Sequence, residues 1–235
     1  MTPGGPLARP LLLAHRGDHR RWIENTADAL LDACRLPGVD GVEFDVRAAA
    51  DGEPVVLHDE TLERTFGVPL VAREVPSLAL MRHGVPHLAE MLALLPGDAF
   101  LDIELKEAPT AAMLDAIVRA RGPCLYRAVI SSFHPSVLSE VRARQPGWTC
   151  WLNAVELNRW SVAAARAIGC AGVSAQWASV TGRAVAEAQP SGLAVAAWTV
   201  RRRPTRRRLE RLPIAVVIAE GTALEPGDRD ESAGA

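Results

Sequence analysis

Residues 41–58 read GVEFDVRAAADGEPVVLH, and the interpretation of the whole chain starts from this stretch. Glu43 and Asp45 are separated by one residue, so in a β-strand both carboxylates point to the same face. Two carboxylates that converge at a strand end repel each other unless a cation lies between them, and oxygen ligands suit Mg²⁺ or Ca²⁺. The pattern therefore predicts a strand over residues 41–46 with a candidate metal site at its end. Pairing of both acids with nearby arginines is the structural alternative.

Asp51-Gly52 lies between two short extended runs, which is typical of a β-hairpin turn. We predict that residues 54–58 return along the strand as a hairpin arm. Counting from the turn, Asp45 is expected to lie level with His58.

Apolar runs of β type alternate with helical stretches along the rest of the chain. The other predicted strands are residues 11–15, 100–105, 128–132, 149–152, 172–174, 193–200 and 214–219. The predicted helices lie near residues 25–35, 86–95, 109–121, 135–145, 156–168, 181–189 and 204–211. Alternating β and α units imply a parallel sheet with helices outside. Eight strands in about 220 residues predict a closed (β/α)₈ TIM barrel with a hairpin extension after the second strand, and a doubly wound open sheet is the competing arrangement.

The composition is that of an ordinary globular domain. The chain has 235 residues, of which 49% are hydrophobic and 23% charged, with a net charge of −2. We expect one barrel domain over residues 1–224 and a disordered tail over residues 225–235, which lack large apolar side chains. The charge gives no case for nucleic-acid binding, and no apolar stretch approaches the roughly 20 residues that span a bilayer. We therefore expect a cytoplasmic protein without stable membrane insertion, and the oligomeric state is not indicated.

A second charged strand follows at residues 101–106, LDIELK. Asp102, Glu104 and Lys106 share one of its faces and the apolar residues share the other. A buried row of charges is costly unless it is paired or metal-bound, so Glu104 is predicted as a third metal carboxylate. Lys106 is the only lysine among 26 basic residues, and we predict that it contacts a phosphate oxygen. An edge strand with one face in water is the alternative.

Two histidines fall at the ends of predicted strands. His15 ends the first strand and His58 ends the hairpin. Imidazole titrates near neutral pH, so the pair suits acid–base chemistry beside a metal. One ring would deprotonate an attacking hydroxyl and the other would protonate the leaving oxygen. The remaining histidines are predicted to be structural or surface residues: His19, His83, His87 and His134.

Taken together, these residues belong to an ordered set of short motifs that resembles the glycerophosphodiester phosphodiesterase family, within the PI-PLC-like phosphodiesterase superfamily. The resemblance covers residues 11–220. Its motifs are His15-Arg16-Gly17, Glu24-Asn25-Thr26, residues 41–46, Asp51-Gly52, His58-Asp59, Arg64-Thr65, Pro86-His87-Leu88, residues 103–106, Ser131-Ser132-Phe133 and Trp198-Thr199-Val200.

The resemblance implies metal-dependent hydrolysis of small glycerophosphodiesters to glycerol 3-phosphate and an alcohol, with Mg²⁺ or Ca²⁺ as the cofactor and Mn²⁺ as a further possibility. It assigns Arg16 and Lys106 to the phosphate. It assigns the metal to Glu43, Asp45 and Glu104, and the acid–base pair to His15 and His58. Trp198 and Phe133 are expected to form an aromatic wall for the substrate, with core packing as the alternative for each.

The chain departs from the family pattern at two neighbouring strand ends. Arg201 stands where the family usually has Asn, and Ile218-Ala219-Glu220 replaces an Ile-Thr-Asp type sequence. We expect both changes to affect the same side of the substrate pocket. Two other functions stay open at this point: a lysophospholipase D or sphingomyelinase D-like phosphodiesterase, and a barrel that binds a phosphorylated ligand without turnover.

Overall fold

Strands and helices alternate through residues 9–226, the part of the chain that the computed structural model describes. The strands are β1 Leu11–His15, β2 Gly41–Ala48, β3 Pro54–Val56, β4 Phe100–Leu105, β5 Ala128–Ser132, β6 Cys150–Ala154, β7 Gly172–Gln176, β8 Ala194–Val200 and β9 Val216–Ala219. The helices are α1 Ala27–Ala33, α2 Glu63–Phe66, α3 Ser77–Arg82, α4 Leu88–Leu94, α5 Ala111–Arg121, α6 Pro135–Arg144, α7 Arg159–Ile168, α8 Gly182–Ala188 and α9 Arg203–Leu209. Short 3₁₀ turns lie at Ala72–Glu74, Gln189–Ser191 and Gly221–Leu224. The predicted tail over residues 225–235 lies, except for its first two residues, outside this part.

The parallel strands close into a barrel. Within the described residues the order is β1-β9-β8-β7-β6-β5-β4-β2, and β1 also pairs with β2. That last pairing joins the two ends of the sheet, which confirms the TIM barrel and excludes the open doubly wound arrangement. No helix in residues 9–226 is long and apolar enough to cross a membrane.

β3 is the antiparallel return arm of the predicted hairpin on β2. Val46 is opposite Val56, and the Leu57 N–H donates to the Asp45 carbonyl at 3.0 Å. Asp45 is therefore level with Leu57, and the prediction that it would be level with His58 was wrong by one residue. The difference arises in the loop. The Ala49 N–H donates to the Glu53 carbonyl at 2.9 Å, so the loop between these paired residues contains three residues, whereas the prediction assumed a two-residue turn at Asp51-Gly52. Gly52, at φ 79°, takes the left-handed conformation that such a loop requires.

The segment over residues 59–85, which lies between β3 and α4 and for which the sequence predicts no helix or strand, packs against this hairpin. It contains α2 and α3, which have only 4 and 6 residues, too few to give a clear helical period. Its apolar side chains form a small separate core with the hairpin, comprising Ala49, Val55, Leu57, Leu62, Ala72, Leu80 and Val85.

The barrel strands place alternate residues inside and outside. Leu101, Ile103 and Leu105 of β4 are fully buried in the layer shared with the helices, as the charged-face prediction requires. The lower interior is filled by a distinct apolar cluster of Leu13, Phe100, Val129, Trp151, Ala196, Val216 and Ile218. Polar and charged side chains occupy the interior above it, where the strands end.

Two glycines make the close interior packing possible. A Cβ on Gly172 would lie 2.7 Å from Nε1 of Trp151, so the large indole ring fits only against a bare backbone. A Cβ on Gly41 would lie 1.9 Å from the Phe100 carbonyl oxygen, an atom that belongs to the neighbouring strand and cannot turn away.

We predict that Gly41→Ala lowers the free energy of unfolding by more than about 3 kcal/mol, because β2 and β4 must separate to admit the methyl group. Gly97→Ala is the matched control, since a Cβ there meets no atom within 4 Å. It should change stability by less than about 0.5 kcal/mol. Urea unfolding followed by tryptophan fluorescence measures both. Similar losses in the two variants would contradict the packing argument.

Asp102 is a charged residue within the barrel interior, with 1% of its surface exposed. Among the described residues, its Oδ1 has no hydrogen-bond partner. Burial, reinforced by the nearby carboxylate of Glu104, raises the pKa of Asp102 to about 7. In the unfolded chain this carboxyl loses its proton near its ordinary pKa of 3.8. The folded protein therefore binds the extra proton between these values, and the contribution of Asp102 to stability falls as pH rises through this window.

We predict that Asp102→Asn becomes progressively more stable than the wild type between pH 4 and pH 8. The neutral amide removes the buried charge, and the difference should grow by on the order of 2–4 kcal/mol across the window. Urea midpoints measured in EDTA at both pH values test this. A difference that stays constant with pH would show that Asp102 is charged in the fold at neutral pH.

Candidate active site

The strands end around a cavity of about 430 Å³. It is lined by eight of the nine predicted site residues: His15, Arg16, Glu43, His58, Glu104, Lys106, Phe133 and Trp198. The ninth, Asp45, lies just outside the lining with 1% of its surface exposed. The barrel thus brings together all the residues that the sequence analysis selected, from strand ends far apart in the chain.

Three carboxylates form the acidic cluster at one side of this cavity. Each of Glu43, Asp45 and Glu104 offers an oxygen, and these atoms all lie within 4.8 Å of one another. The cluster follows from strand register, because Asp45 on β2 is directly beside Glu104 on β4. All three residues are at most 7% exposed. This donor set, oxygen only and buried, fits a hard divalent cation.

The charges of the acidic cluster are incompletely compensated by the protein. Burial and the neighbouring Asp45 and Glu104 carboxylates raise the pKa of Glu43 well above its usual value. Burial and Asp45 likewise raise the pKa of Glu104 to about 7. Only Asp45 has its pKa held below the usual range, because Lys106 and Arg16 outweigh the effect of burial. A divalent cation would supply the missing positive charge.

Two cations lie against Asp45. The Lys106 Nζ is 2.8 Å from Asp45 Oδ1 and also contacts Glu104, while Arg16 Nε is 3.0 Å from Asp45 Oδ2. Arg16 takes a left-handed conformation, φ 56°, and its N–H donates to the Glu43 carbonyl at 2.8 Å. After this sharp turn at the end of β1, the Arg16 guanidinium extends back to Asp45 on β2. Asn25 completes the surroundings of Asp45 by donating from Nδ2 to Oδ2 at 2.8 Å.

Each of the two predicted acid–base histidines is bonded to a carboxylate through Nδ1. His15 Nδ1 is 2.7 Å from Glu220 Oε2, and His58 Nδ1 is 2.6 Å from Asp59 Oδ1. A carboxylate acceptor fixes the proton of the neutral ring on Nδ1 and leaves Nε2 to exchange protons. His15 Nε2 is 3.9 Å from Glu43 Oε2, beside the acidic cluster. Burial lowers the pKa of both imidazoles.

A chain of ion pairs links the two sides of the site. Arg64 Nε is 2.5 Å from Asp59 Oδ2, and its Nη2 is 2.6 Å from Glu24 Oε1. Glu24 Oε1 in turn accepts from Arg16 Nη1 at 2.9 Å. His58 is therefore linked to the Arg16 side chain through three charged residues, Asp59, Arg64 and Glu24. Sequence reasoning had assigned no role to Glu24 or Arg64, although both belong to quoted motifs.

The opposite wall of the cavity is aromatic. Phe133 and Trp198 meet edge to face, with ring centroids 5.3 Å apart and planes at 83°. The Trp198 indole N–H donates to the Ser174 carbonyl at 2.9 Å, which fixes the ring. Phe133 remains 38% exposed, so one side of the pair is available to a ligand. This arrangement favours the predicted aromatic wall over core packing.

The two departures from the family pattern contact each other. Arg201 Nε is 2.6 Å from Glu220 Oε1, while Oε2 of the same carboxylate bonds to His15. His19, which was predicted to be structural or on the surface, also approaches this carboxylate, with Nε2 3.4 Å from Oε2. The sequence analysis linked Glu220 only to the shape of the substrate pocket. The signal for a direct role in the site was a charged residue directly after a barrel strand.

Asn153 is a further site residue that the sequence analysis did not select. It is the second-last residue of the strand β6, and its Nδ2 donates to Glu104 Oε2 at 3.2 Å. Its position at a strand end, after three apolar residues, was the signal that could have found it.

Similar proteins of known sequence carry related names. A glycerophosphodiester phosphodiesterase of Caldanaerobacter subterraneus subsp. tengcongensis is 33% identical over 156 residues, covering 59% of this chain and 64% of that protein. The match thus spans just under two thirds of that relative. The human glycerophosphodiester phosphodiesterase 1 is 42% identical over 60 residues, which are 26% of this chain and 18% of that protein.

Solved structures share the fold. A glycerophosphoryl diester phosphodiesterase structure from Silicibacter pomeroyi aligns with a TM-score of 0.77 at 24% identity, covering 92% of this chain and 91% of that one. A phosphodiesterase from Oleispira antarctica, solved with the product sn-glycerol-3-phosphate, aligns with a TM-score of 0.79 at 23% identity over 90% and 93% of the two chains.

A family model also matches most of the chain. The model of the glycerophosphoryl diester phosphodiesterase family covers residues 15–222, which begin at His15 and end two residues beyond Glu220. Every residue of the cavity described above falls within that range. The chain therefore belongs to the glycerophosphoryl diester phosphodiesterase family.

Proposed function

We propose that this protein hydrolyses glycerophosphodiesters to glycerol 3-phosphate and an alcohol, with a divalent cation bound. One observation carries the proposal: two histidines with carboxylate-bonded Nδ1 atoms line the same cavity as a buried three-carboxylate cluster. The Caldanaerobacter relative is named for this activity, and the Oleispira phosphodiesterase holds sn-glycerol-3-phosphate as its product.

Glu43, Asp45 and Glu104 would hold the cation. When bound, Mg²⁺ or Ca²⁺ supplies positive charge to the phosphoryl oxygens and to the three carboxylates. The raised pKa values of Glu43 and Glu104 support this assignment, because both carboxyls lack a full counter-charge from the protein.

Arg16 and Lys106 bring two permanent positive charges to the phosphate. Their side chains line the cavity while pairing with Asp45 at its base. The negative charge that develops on the phosphoryl oxygens is thereby met by groups already in place, so little reorganisation is needed during the reaction. The compact ammonium of Lys106 fits between Asp45 and Glu104, whereas a planar guanidinium would be wider.

The two imidazoles move the protons. One Nε2 accepts the proton of the attacking hydroxyl as the new P–O bond forms. This hydroxyl belongs to water or to the glycerol moiety, and in the second case the product is a cyclic phosphate that water opens to glycerol 3-phosphate in a further step. The other Nε2 donates a proton to the alcohol oxygen as the old P–O bond breaks. Glu220 and Asp59 hold His15 and His58 in the tautomer that leaves Nε2 free for this exchange. The Phe133–Trp198 pair provides an apolar surface for the departing alcohol.

A substrate-by-metal screen tests the proposal. Glycerol 3-phosphate release is measured from several glycerophosphodiesters with Mg²⁺, Ca²⁺ and Mn²⁺, and choline release from a lysophospholipid is measured in parallel. We expect glycerol 3-phosphate from the water-soluble diesters. Choline release alone would favour the lysophospholipase D-like alternative, and absence of all turnover with tight phosphate binding would favour a binding barrel.

We predict that Glu43→Gln and Glu104→Gln each abolish EDTA-sensitive hydrolysis while the circular dichroism spectrum is retained. Each change removes one charged ligand from the acidic cluster, and a neutral amide binds a hard cation poorly. Glu90→Gln, on the exposed side of α4, is the control and should keep full activity. Full activity in either cluster variant would rule out a site that needs all three carboxylates.

We predict that His15→Ala and His58→Ala each lower kcat by roughly 10²–10⁴-fold, the usual value of a positioned proton donor or acceptor. Glu220→Gln should lower kcat less, by about 10–100-fold, because it disturbs the orientation of His15 and leaves the ring in place. Glu220→Asp should restore part of that loss with KM unchanged. His83→Ala, at the exposed end of α3, is the control. An unchanged kcat in Glu220→Gln would show that the carboxylate does not position His15.

A further inference from the structure

A second group of metal-binding side chains lies beside the acidic cluster and differs from it in chemistry. His15, His19 and Glu220 each offer one ligand atom, and the three atoms lie within 4.8 Å of one another. Glu220 Oε2 is the centre of the group, 2.7 Å from His15 Nδ1 and 3.4 Å from His19 Nε2. We call these three residues the histidine cluster. It contains two imidazoles and one carboxylate, whereas the acidic cluster contains oxygen donors only.

The donor set of the histidine cluster selects a different class of cation. Imidazole nitrogen suits Zn²⁺ and related transition metals, while Mg²⁺ and Ca²⁺ prefer oxygen. Two histidines and one carboxylate, with a fourth position left to water, form a common tetrahedral zinc site. Zinc bonds of roughly 2.0–2.1 Å in that geometry place ligand atoms about 3.3 Å apart.

The observed distances are close to this requirement. The separation of His19 Nε2 from Glu220 Oε2, 3.4 Å, already matches. The separation of His15 Nδ1 from the same oxygen, 2.7 Å, is a hydrogen bond and would have to lengthen by about half an ångström. The site is open enough for entry, since the three side chains keep 14%, 28% and 13% of their surface exposed.

Two local contacts prepare the histidine cluster for a cation. Arg201 pairs with Oε1 of Glu220, so it fixes the carboxylate and leaves Oε2 directed at the two rings. His19 Nε2 is shielded from solvent and makes no hydrogen bond of good geometry with the described part of the chain. A metal ion in contact with this nitrogen would satisfy it.

We propose that His15, His19 and Glu220 form a second cation site, specific for a transition metal such as Zn²⁺, whose occupation inhibits hydrolysis. The inhibitory part rests on the proposed function, and the binding part does not. A metal on His15 Nδ1 displaces the proton from that nitrogen, and in the neutral ring this proton moves to Nε2. The metal also withdraws electrons from the ring, so Nε2 no longer accepts and donates a proton at neutral pH. Mg²⁺ in the acidic cluster and Zn²⁺ in the histidine cluster would therefore have opposite effects.

Calorimetric titration with Zn²⁺ in saturating Mg²⁺ tests the binding part. The wild type should bind one zinc ion, and His19→Ala should weaken that binding by at least about tenfold, because a lost direct ligand costs no less than a lost supporting contact. Glu43→Gln should leave zinc affinity unchanged, since it removes a ligand of the acidic cluster only. His19→Gln repeats the test in case the alanine variant folds poorly, as judged by circular dichroism.

Steady-state assays in saturating Mg²⁺ test the inhibitory part. Zinc at its binding concentration should inhibit the wild type and the control His83→Ala alike, and added Mg²⁺ should not relieve the inhibition. His19→Ala should hydrolyse substrate within about fivefold of the wild type without zinc, since a partly exposed ion pair contributes little. It should also remain active at zinc concentrations that stop the wild type.

Three results would overturn the proposal. Zinc binding that is lost in Glu43→Gln and kept in His19→Ala would place the ion in the acidic cluster. Inhibition that added Mg²⁺ reverses would lead to the same conclusion. Zinc binding at the histidine cluster without inhibition would refute the regulatory part. A protein that binds zinc through His19 but hydrolyses no glycerophosphodiester would instead refute the proposed function and leave the site intact.

Discussion

Repulsion between buried carboxylates is the constraint on which the rest of the site depends. The register of β2 against β4 puts Asp45 directly beside Glu104, and Glu43 beside Asp102, in the barrel interior. Four acids in so small a volume require nearby positive charge. Lys106 supplies it from the same face of β4, and the left-handed turn at Arg16 directs a guanidinium to Asp45. The remaining deficit is what makes the acidic cluster a candidate site for a divalent cation.

Charge pairing also accounts for the side of the cavity that is lined by Arg201 and Glu220. Arg201 and Glu220 each differ from the usual family residue, but they form an ion pair with each other. The longer glutamate reaches His15 through one oxygen and Arg201 through the other. The two changes therefore compensate each other in charge, and Glu220 keeps one oxygen for His15.

Much of this could be predicted from the sequence, because period-two patterns decide which side chains share a strand face. The charged faces of β2 and β4 and the strand order implied by βα alternation follow from such local patterns. The resemblance to the family added Arg16, Phe133 and Trp198 to the site. The hairpin register did not, since it depends on whether the turn encloses two or three residues around Gly52. The Glu24–Arg64 and His15–Glu220 contacts also escaped, because they join residues 40 and 205 positions apart, and no local period reports on such pairs.

The Trp151 ring, which packs against the backbone of Gly172, limits the routes by which a small molecule can reach and leave the cavity. Together with Leu13, Phe100 and Val129 it forms a solid floor, so the barrel is a cup and not a tunnel. Under the proposed function, substrate must enter, and both halves of the cleaved diester must leave, through the same rim. The phosphorylated half would then depart past Arg16 and Lys106, the cations proposed to bind the incoming phosphate. The affinity of these two side chains for phosphate would therefore be a compromise between binding the substrate and releasing the product.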